Sequence, residues 1–245
     1  MLKLRYLAAV SVAAIALSGS VATSSAGVTV PTDVVSVQPM GVTVGVAHPV
    51  TVTFAGNIED RPAAERSFGI ASPSAPAGDF TWLNDRVLQW NPSEFWPAHS
   101  DITVTAGGAK ASFQTGGATV GVADIDAHTF TVSIDGAVVR EMPASMGKSG
   151  FATPVGTFAA LEKQSVVIMD SRTIGIPLSS SEGYRLTVND AVRVTWGGVY
   201  VHGAPWSVGS QGYSNVSHGC INLSPDNADW YYNTVRVGDP IIVQS

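Results

Sequence analysis

Apolar and polar residues alternate in five short runs of this chain: "HPVTVTFAG" (48–56), "SDITVTAGG" (100–108), "KASFQTGG" (110–117), "HTFTVSIDGAVV" (128–139) and "YRLTVNDAVRVTW" (184–196). A period of two turns every second side chain to one face, so each run predicts a half-buried β-strand or strand pair, bounded by Gly, Pro, Asp or Asn. In the fourth run, Asp135-Gly136 predicts a tight hairpin turn, because glycine takes a positive φ without steric cost. Long amphipathic helices are nearly absent. One short helix is expected, where Ser224 can cap, Pro225 suits the first helical position and Asp226 favours the positive end of the dipole. "SPDNADWYYNTVRVGDP" then gives about three turns before Gly238 and Pro240 stop it, and "IIVQ" forms a last strand.

The glycine-rich "TGGATVG" (115–121) separates two groups of strands. Residues 27–117 are expected to form a small β-sandwich, with closely spaced strands and several turn signals, and residues 118–245 a second β-rich domain. The fold class expected is mainly β. A composition with 25 Gly, 14 Pro and only 13% charged residues agrees with short strands joined by turns.

The first 26 residues, "MLKLRYLAAVSVAAIALSGSVATSSA", have the three parts of an export signal: Lys3 and Arg5, an apolar run, and a small-residue cleavage region. The apolar run is shorter than the roughly 20 residues of a spanning helix, so the only membrane contact expected is an uncleaved N-terminal segment. No cysteine follows the run to carry a lipid. Without residues 1–26 the formal net charge moves from −6 to about −8, and no basic cluster is visible, which argues against a nucleic-acid partner. The expected address is the periplasm or cell wall.

Exported chains usually spend cysteine in pairs, yet Cys220, within "SNVSHGCINL", is the only one here. It is either buried filler or a thiol kept for reactivity. A thiol attacks as thiolate, and with an ordinary pKa near 8.5 it needs help from a neighbouring imidazole. His218 is two residues away, but a neighbour fixed by local backbone often cannot approach squarely. His202, ending the apolar "VYV", can meet the thiol across the fold; it is preferred as base, with His218 structural or assisting. The amides of Gly219 and Cys220 are natural donors for a developing oxyanion, although a simple turn would also explain the glycine. Zinc would need three or four ligands at short paired spacings. His202 and His218 stand sixteen apart with no second cysteine, so no metal is expected. "SMGK" (145–148) matches a Ser-x-x-Lys nucleophile pattern, but it follows Pro143 in a poor helical context and lacks companion motifs.

His202-Gly203 followed by Ser217-His218-Gly219-Cys220-Ile221-Asn222 resembles the signature of the L,D-transpeptidase catalytic domain. "SMGKSGFATPVGTF" resembles the family's upstream element through Lys148, Thr153, Pro154, Gly156 and Phe158. "VVIMDSRTIGIP", "GYRLTV" and "VHGAPWSVGSQGYSNVSHGC" are similar to members that carry immunoglobulin-like domains ahead of the catalytic domain.

The resemblance implies that Cys220 attacks the carbonyl of the third residue of a peptidoglycan tetrapeptide stem, usually a diamino acid such as meso-diaminopimelate. D-Ala leaves, and the side-chain amine of a second stem's third residue takes the acyl group. It implies His202 as base, the Gly203 carbonyl as orienter of its ring, and Tyr184 with the Gly219 and Cys220 amides in the oxyanion region. Met169 falls in the loop over the substrate path; Asn222, Ser217 and Trp206 are further candidate contacts. Acylation by carbapenem-type β-lactams is implied, and no cofactor. Position 203 is glycine where some relatives carry serine, and "GDPIIVQS" ends soon after the last strand, where some relatives extend further. An L,D-carboxypeptidase, an enzyme attaching proteins to the wall, and a wall-binding module without activity are the alternatives.

Overall fold

The computed structural model describes residues 33–245, so the expected export segment, residues 1–26, lies outside the described residues. The N-terminal part begins with β1 (Val34–Gln38), β2 (Thr43–Val44) and β3 (Val50–Phe54). A short helix α1 (Arg61–Arg66) and strands β4 (Gly69–Ala71), β5 (Gly78–Asn84), β6 (Val87–Pro92), β7 (Asp101–Ala106) and β8 (Ala109–Thr115) complete it. Two four-stranded sheets, ordered β1-β3-β6-β5 and β2-β8-β7-β4, face each other. Between them lie Phe54, Leu88, Trp90, Trp96, Ile102 and Phe113, all buried. Trp90 and Trp96 pack with ring centroids 5.0 Å apart, and the indole of Trp96 donates to the His48 carbonyl at 2.9 Å, satisfying the ring's one polar atom.

Helix α1 corrects the expectation of a single helix. Its six residues are too few to show a helical period, but Asp60 caps it by accepting from Ala63 N–H, and proline stands in its first turn.

After Gly116–Ala118 the chain enters the second part. Strands β9 (Thr119–Asp124), β10 (Thr129–Ile134), β11 (Ala137–Pro143) and β12 (Gly156–Ala159) join β17 (Pro240–Gln244) in a sheet ordered β11-β10-β9-β17-β12. The other sheet is β13 (Glu162–Asp170), β14 (Arg185–Arg193), β15 (Tyr200–Gly203) and β16 (Ile221–Leu223), in that order. The β10–β11 hairpin turns on Asp135 and Gly136, with φ of 51° and 85°, the two positive values a type I′ turn requires. Helix α2 (Pro225–Thr234) follows β16, and Ser224 Oγ accepts from Asn227 N–H as its cap. It stops at Thr234, four residues before Gly238, because Val235 turns into the core in an extended conformation. Phe130, Met142, Val201, Ile221, Leu223, Tyr231 and Ile241 form this core between the two sheets and α2.

The two parts meet through backbone. Gly45 and Ala47 N–H donate to the Val237 and Gly238 carbonyls at 2.9 and 2.7 Å, and a Cβ on Gly45 would fall 2.0 Å from Asp239 N. Nearby, His99 Nε2 meets the Asp135 carboxylate at 2.9 Å.

Candidate active site

The site grows from the parallel pair β15–β16, in which Val201 lies opposite Ile221 and His202 opposite Asn222. Continuing the register sets Cys220 opposite Tyr200. Alternate residues share a face, so His202 and Cys220 are diagonal neighbours within side-chain reach. Both open into a cavity of about 240 Å³, whose wall includes Met169, Tyr184, Trp206, Ser217, His218 and Asn222. Gly203 and Gly219 do not line it. Leu186, Ser207 and Val216 do, and nothing in the sequence distinguishes them from ordinary strand and loop residues.

His202 is 2% exposed, and its Nδ1 lies 2.9 Å from the Gly203 carbonyl. A carbonyl only accepts, so Nδ1 carries the proton and Nε2 keeps a lone pair. Burial lowers this imidazole to about 4, with the Gly203 bond pulling more weakly upward. Trp206, half exposed, flanks it with ring centroids 6.0 Å apart.

The Cys220 thiol is partly exposed, with Sγ 3.7 Å from the Gly198 carbonyl. Burial pushes it up to about 11, against a smaller pull downward from the Tyr200 backbone N–H. Thiol and imidazole are therefore both neutral near pH 7. This arrangement suits transfer of the thiol proton to the imidazole as sulfur attacks, rather than a standing ion pair.

His218 is placed differently. Its ring sits between Phe151 and Tyr184, with centroids 4.6 and 5.0 Å away, and its Nε2 lies 2.8 Å from Glu182 Oε2. Lys148 Nζ reaches the same oxygen at 2.5 Å. Glu182 belongs to the β13–β14 loop, which also brings Tyr184 to the cavity. The loop is folded tightly at Gly183, where a Cβ would lie 2.6 Å from the Leu178 carbonyl oxygen. No local pattern marks Glu182, an acidic residue in a serine-rich loop.

The Gly219 amide already has a partner. It donates to Ser217 Oγ at 3.0 Å, while Ser217 Oγ donates to the Cys220 carbonyl at 2.7 Å. The Cys220 N–H has no partner among the described residues. Tyr184 lines the cavity, and its pKa is raised by burial and then by the negative charge Cys220 carries as thiolate.

A family model of the L,D-transpeptidase catalytic domain matches residues 118–243, and one of a bacterial Ig domain matches residues 8–112. The chain belongs to the L,D-transpeptidase family. It is an enzyme of peptidyl transfer. L,D-transpeptidase 1 of Mycobacterium tuberculosis is 58% identical over 211 residues, spanning 86% of this chain and 84% of that one. The structure of an L,D-transpeptidase from Mycobacterium smegmatis is 68% identical, with TM-score 0.85 over 88% of this chain and 100% of that one. Another, an LD transpeptidase in complex with imipenem, is 58% identical, with TM-score 0.83 over 86% of this chain and 99% of that one.

In this L,D-transpeptidase the Ser-x-x-Lys pattern is not a nucleophile. Ser145 is fully buried and donates to the Ser214 carbonyl at 2.8 Å, and Lys148 is bound to Glu182. Asn222 is largely committed too: its backbone pairs with Ser145 in both directions, and its amide donates to Ser207 Oγ at 3.1 Å. Met169, expected in the loop over the substrate path, lies instead in strand β13, where it lines the cavity and packs, with Cys220, against the cluster of Val188, Ala191 and Tyr200.

Proposed function

We propose that this L,D-transpeptidase is exported and joins peptidoglycan stems through their third residues. Cys220 attacks the carbonyl of the third residue of a tetrapeptide stem, forming a C–S bond as its proton passes to Nε2 of His202. The developing oxyanion is met by the Cys220 N–H and the Tyr184 hydroxyl. When the C–N bond to D-Ala breaks, His202 returns the proton to the leaving amine, and a thioester remains. The side-chain amine of a second stem then attacks, its proton goes to His202, the C–S bond breaks, and His202 passes that proton to the departing Cys220 sulfur.

The observation that carries this reading is the shared face of His202 and Cys220, with His202 Nδ1 spent on the Gly203 carbonyl and Nε2 left as a base. The 58% identical relative in complex with imipenem supports acylation of Cys220 by carbapenems as well.

The test is incubation of the purified protein with disaccharide-tetrapeptide and mass spectrometry of the products. A dimer that has lost one D-Ala, with the cross-link located between third residues, supports the reading. Tripeptide alone would indicate hydrolysis, attachment of protein amines would indicate wall anchoring, and binding without product would indicate a non-catalytic module. Fractionation of cells with an antibody to the chain tests export.

A further inference from the structure

The peptide bond before Cys220 is held from behind by a buried hydroxyl. Thr153, 2% exposed, donates Oγ1 to the Gly219 carbonyl at 2.9 Å and accepts the Gly147 N–H at 2.9 Å. The chain from 147 to 153 turns back so closely that a Cβ on Gly147 would lie 2.0 Å from the Phe151 oxygen. That turn delivers Thr153 to Gly219. On the other side, Ser217 Oγ serves the Gly219 N–H and the Cys220 carbonyl. Of the four backbone polar groups of Gly219 and Cys220, the Cys220 N–H alone has no partner among the described residues.

In a trans peptide the carbonyl and the following N–H point in opposite directions. Thr153 does not line the cavity, whereas Ser217, His218 and Cys220 do. A Gly219 carbonyl fixed toward Thr153 therefore turns the Cys220 N–H the other way, to the cavity side. Gly219, at φ +115°, has no Cβ to resist rotation of this peptide, so the restraint has to come from a partner.

We propose that Thr153 is a positioning residue for acyl transfer, whose hydroxyl holds the Gly219–Cys220 peptide so that the Cys220 N–H meets the developing oxyanion. This rests on the reading of Cys220 as nucleophile. A threonine that merely filled space would be replaced by valine without selective effect on reactions that build an oxyanion.

The test compares acylation, which builds an oxyanion, with alkylation, which does not. Wild type, Thr153→Val, Thr153→Ala, Thr153→Ser and Cys220→Ala are each treated with imipenem and, separately, with iodoacetamide, and followed by intact-protein mass spectrometry. Thr153→Val is expected to lose acylation rate on the order of 10²-fold, the scale of one lost oxyanion donor, with alkylation of Cys220 little changed. Thr153→Ser restores acylation. If Thr153→Val does not fold, Thr153→Ala, which lacks the same hydroxyl, carries the test with the same selective loss of acylation expected. Wild-type acylation in the folded variants overturns the proposal. So does a parallel loss of acylation and alkylation, which would place the defect at the thiol. Acylation that persists in Cys220→Ala refutes the nucleophile itself, a failure separable from that of Thr153.

Discussion

Nε2 of His218 lies 2.8 Å from Oε2 of Glu182, and Lys148 Nζ donates to the same oxygen. This contact distinguishes the two histidines near Cys220. His218 has a ring nitrogen committed to a carboxylate, whereas His202 is held by a carbonyl through Nδ1. It also clasps the β13–β14 loop to the segment that carries the thiol.

Breaking the clasp tests its worth. Glu182→Ala is expected to slow imipenem acylation on the order of 10-fold by letting the loop and Tyr184 drift, with little change in Tm, since a half-exposed ion pair contributes little to global stability. Lys148, and then His218, hold the Glu182 carboxyl below its ordinary 4.5. The clasp is therefore at full strength above that value and is lost as pH falls through the lower folded one. Stopped-flow acylation across pH measures both effects, and equal rates in variant and wild type would dismiss the clasp.

The strands were legible because alternation survives wherever one face is buried, as at Val50, Val52 and Phe54 of β3, and because Asp135-Gly136 states its own turn chemistry. Helix α1 was not, since six residues cannot show a period. Cys220 and His202 could be singled out from residue type and spacing. Glu182 could not, because its partners lie 34 and 36 residues away and no local pattern points to them. The partner of the Gly219 amide was illegible for a related reason. Residue type says nothing about which way an N–H points, and here Ser217 had already taken it.

Stability should carry the mark of His202. Its folded value of about 4 lies below the ordinary 6.5, so the unfolded chain binds the proton more readily. Its contribution is complete above pH 6.5 and is lost as pH falls toward 4. At about 1.4 kcal/mol per unit, the loss across that window is on the order of 3 kcal/mol. Urea unfolding of wild type and His202→Gln at about pH 7.5 and 4.5 isolates it: the wild type should lose more stability than the variant, and equal losses would show that the imidazole is not held neutral.

Two glycines should respond oppositely to a side chain. A Cβ on Gly203 would meet Ala228 Cβ at 3.5 Å and the Asn189 oxygen at 3.6 Å, ordinary contacts that leave the carbonyl free to hold His202. Gly203→Ser is expected to keep its acylation rate and to gain up to about 0.5–1 kcal/mol, the usual cost of glycine inside a strand. Gly45→Ala drives its Cβ into the backbone of Asp239 at the seam between the two parts, and a loss on the order of 1–3 kcal/mol is expected. Thermal unfolding decides; a Gly203→Ser that melts well below wild type would mean the strand cannot admit the hydroxymethyl group.

The chemistry at Cys220 has its own pH signature. With the thiol at about 11 and the imidazole at about 4, a thiolate–imidazolium pair is scarcely populated, and the nucleophile forms only as its proton leaves. Iodoacetamide has no need of His202 as an acid, so its rate follows the thiolate fraction. Alkylation of Cys220 should rise about tenfold per pH unit from neutrality to at least pH 9, without a plateau. Imipenem acylation, in which His202 accepts the proton during attack, should depend far less steeply on pH over that range and fall only as His202 becomes protonated below about 5. A plateau in alkylation near pH 6–7 would show a preformed ion pair and overturn the general-base order of events. His202→Ala should lower acylation on the order of 10²–10⁴-fold while leaving the slope of the alkylation profile unchanged, since that slope belongs to the thiol's own ionisation.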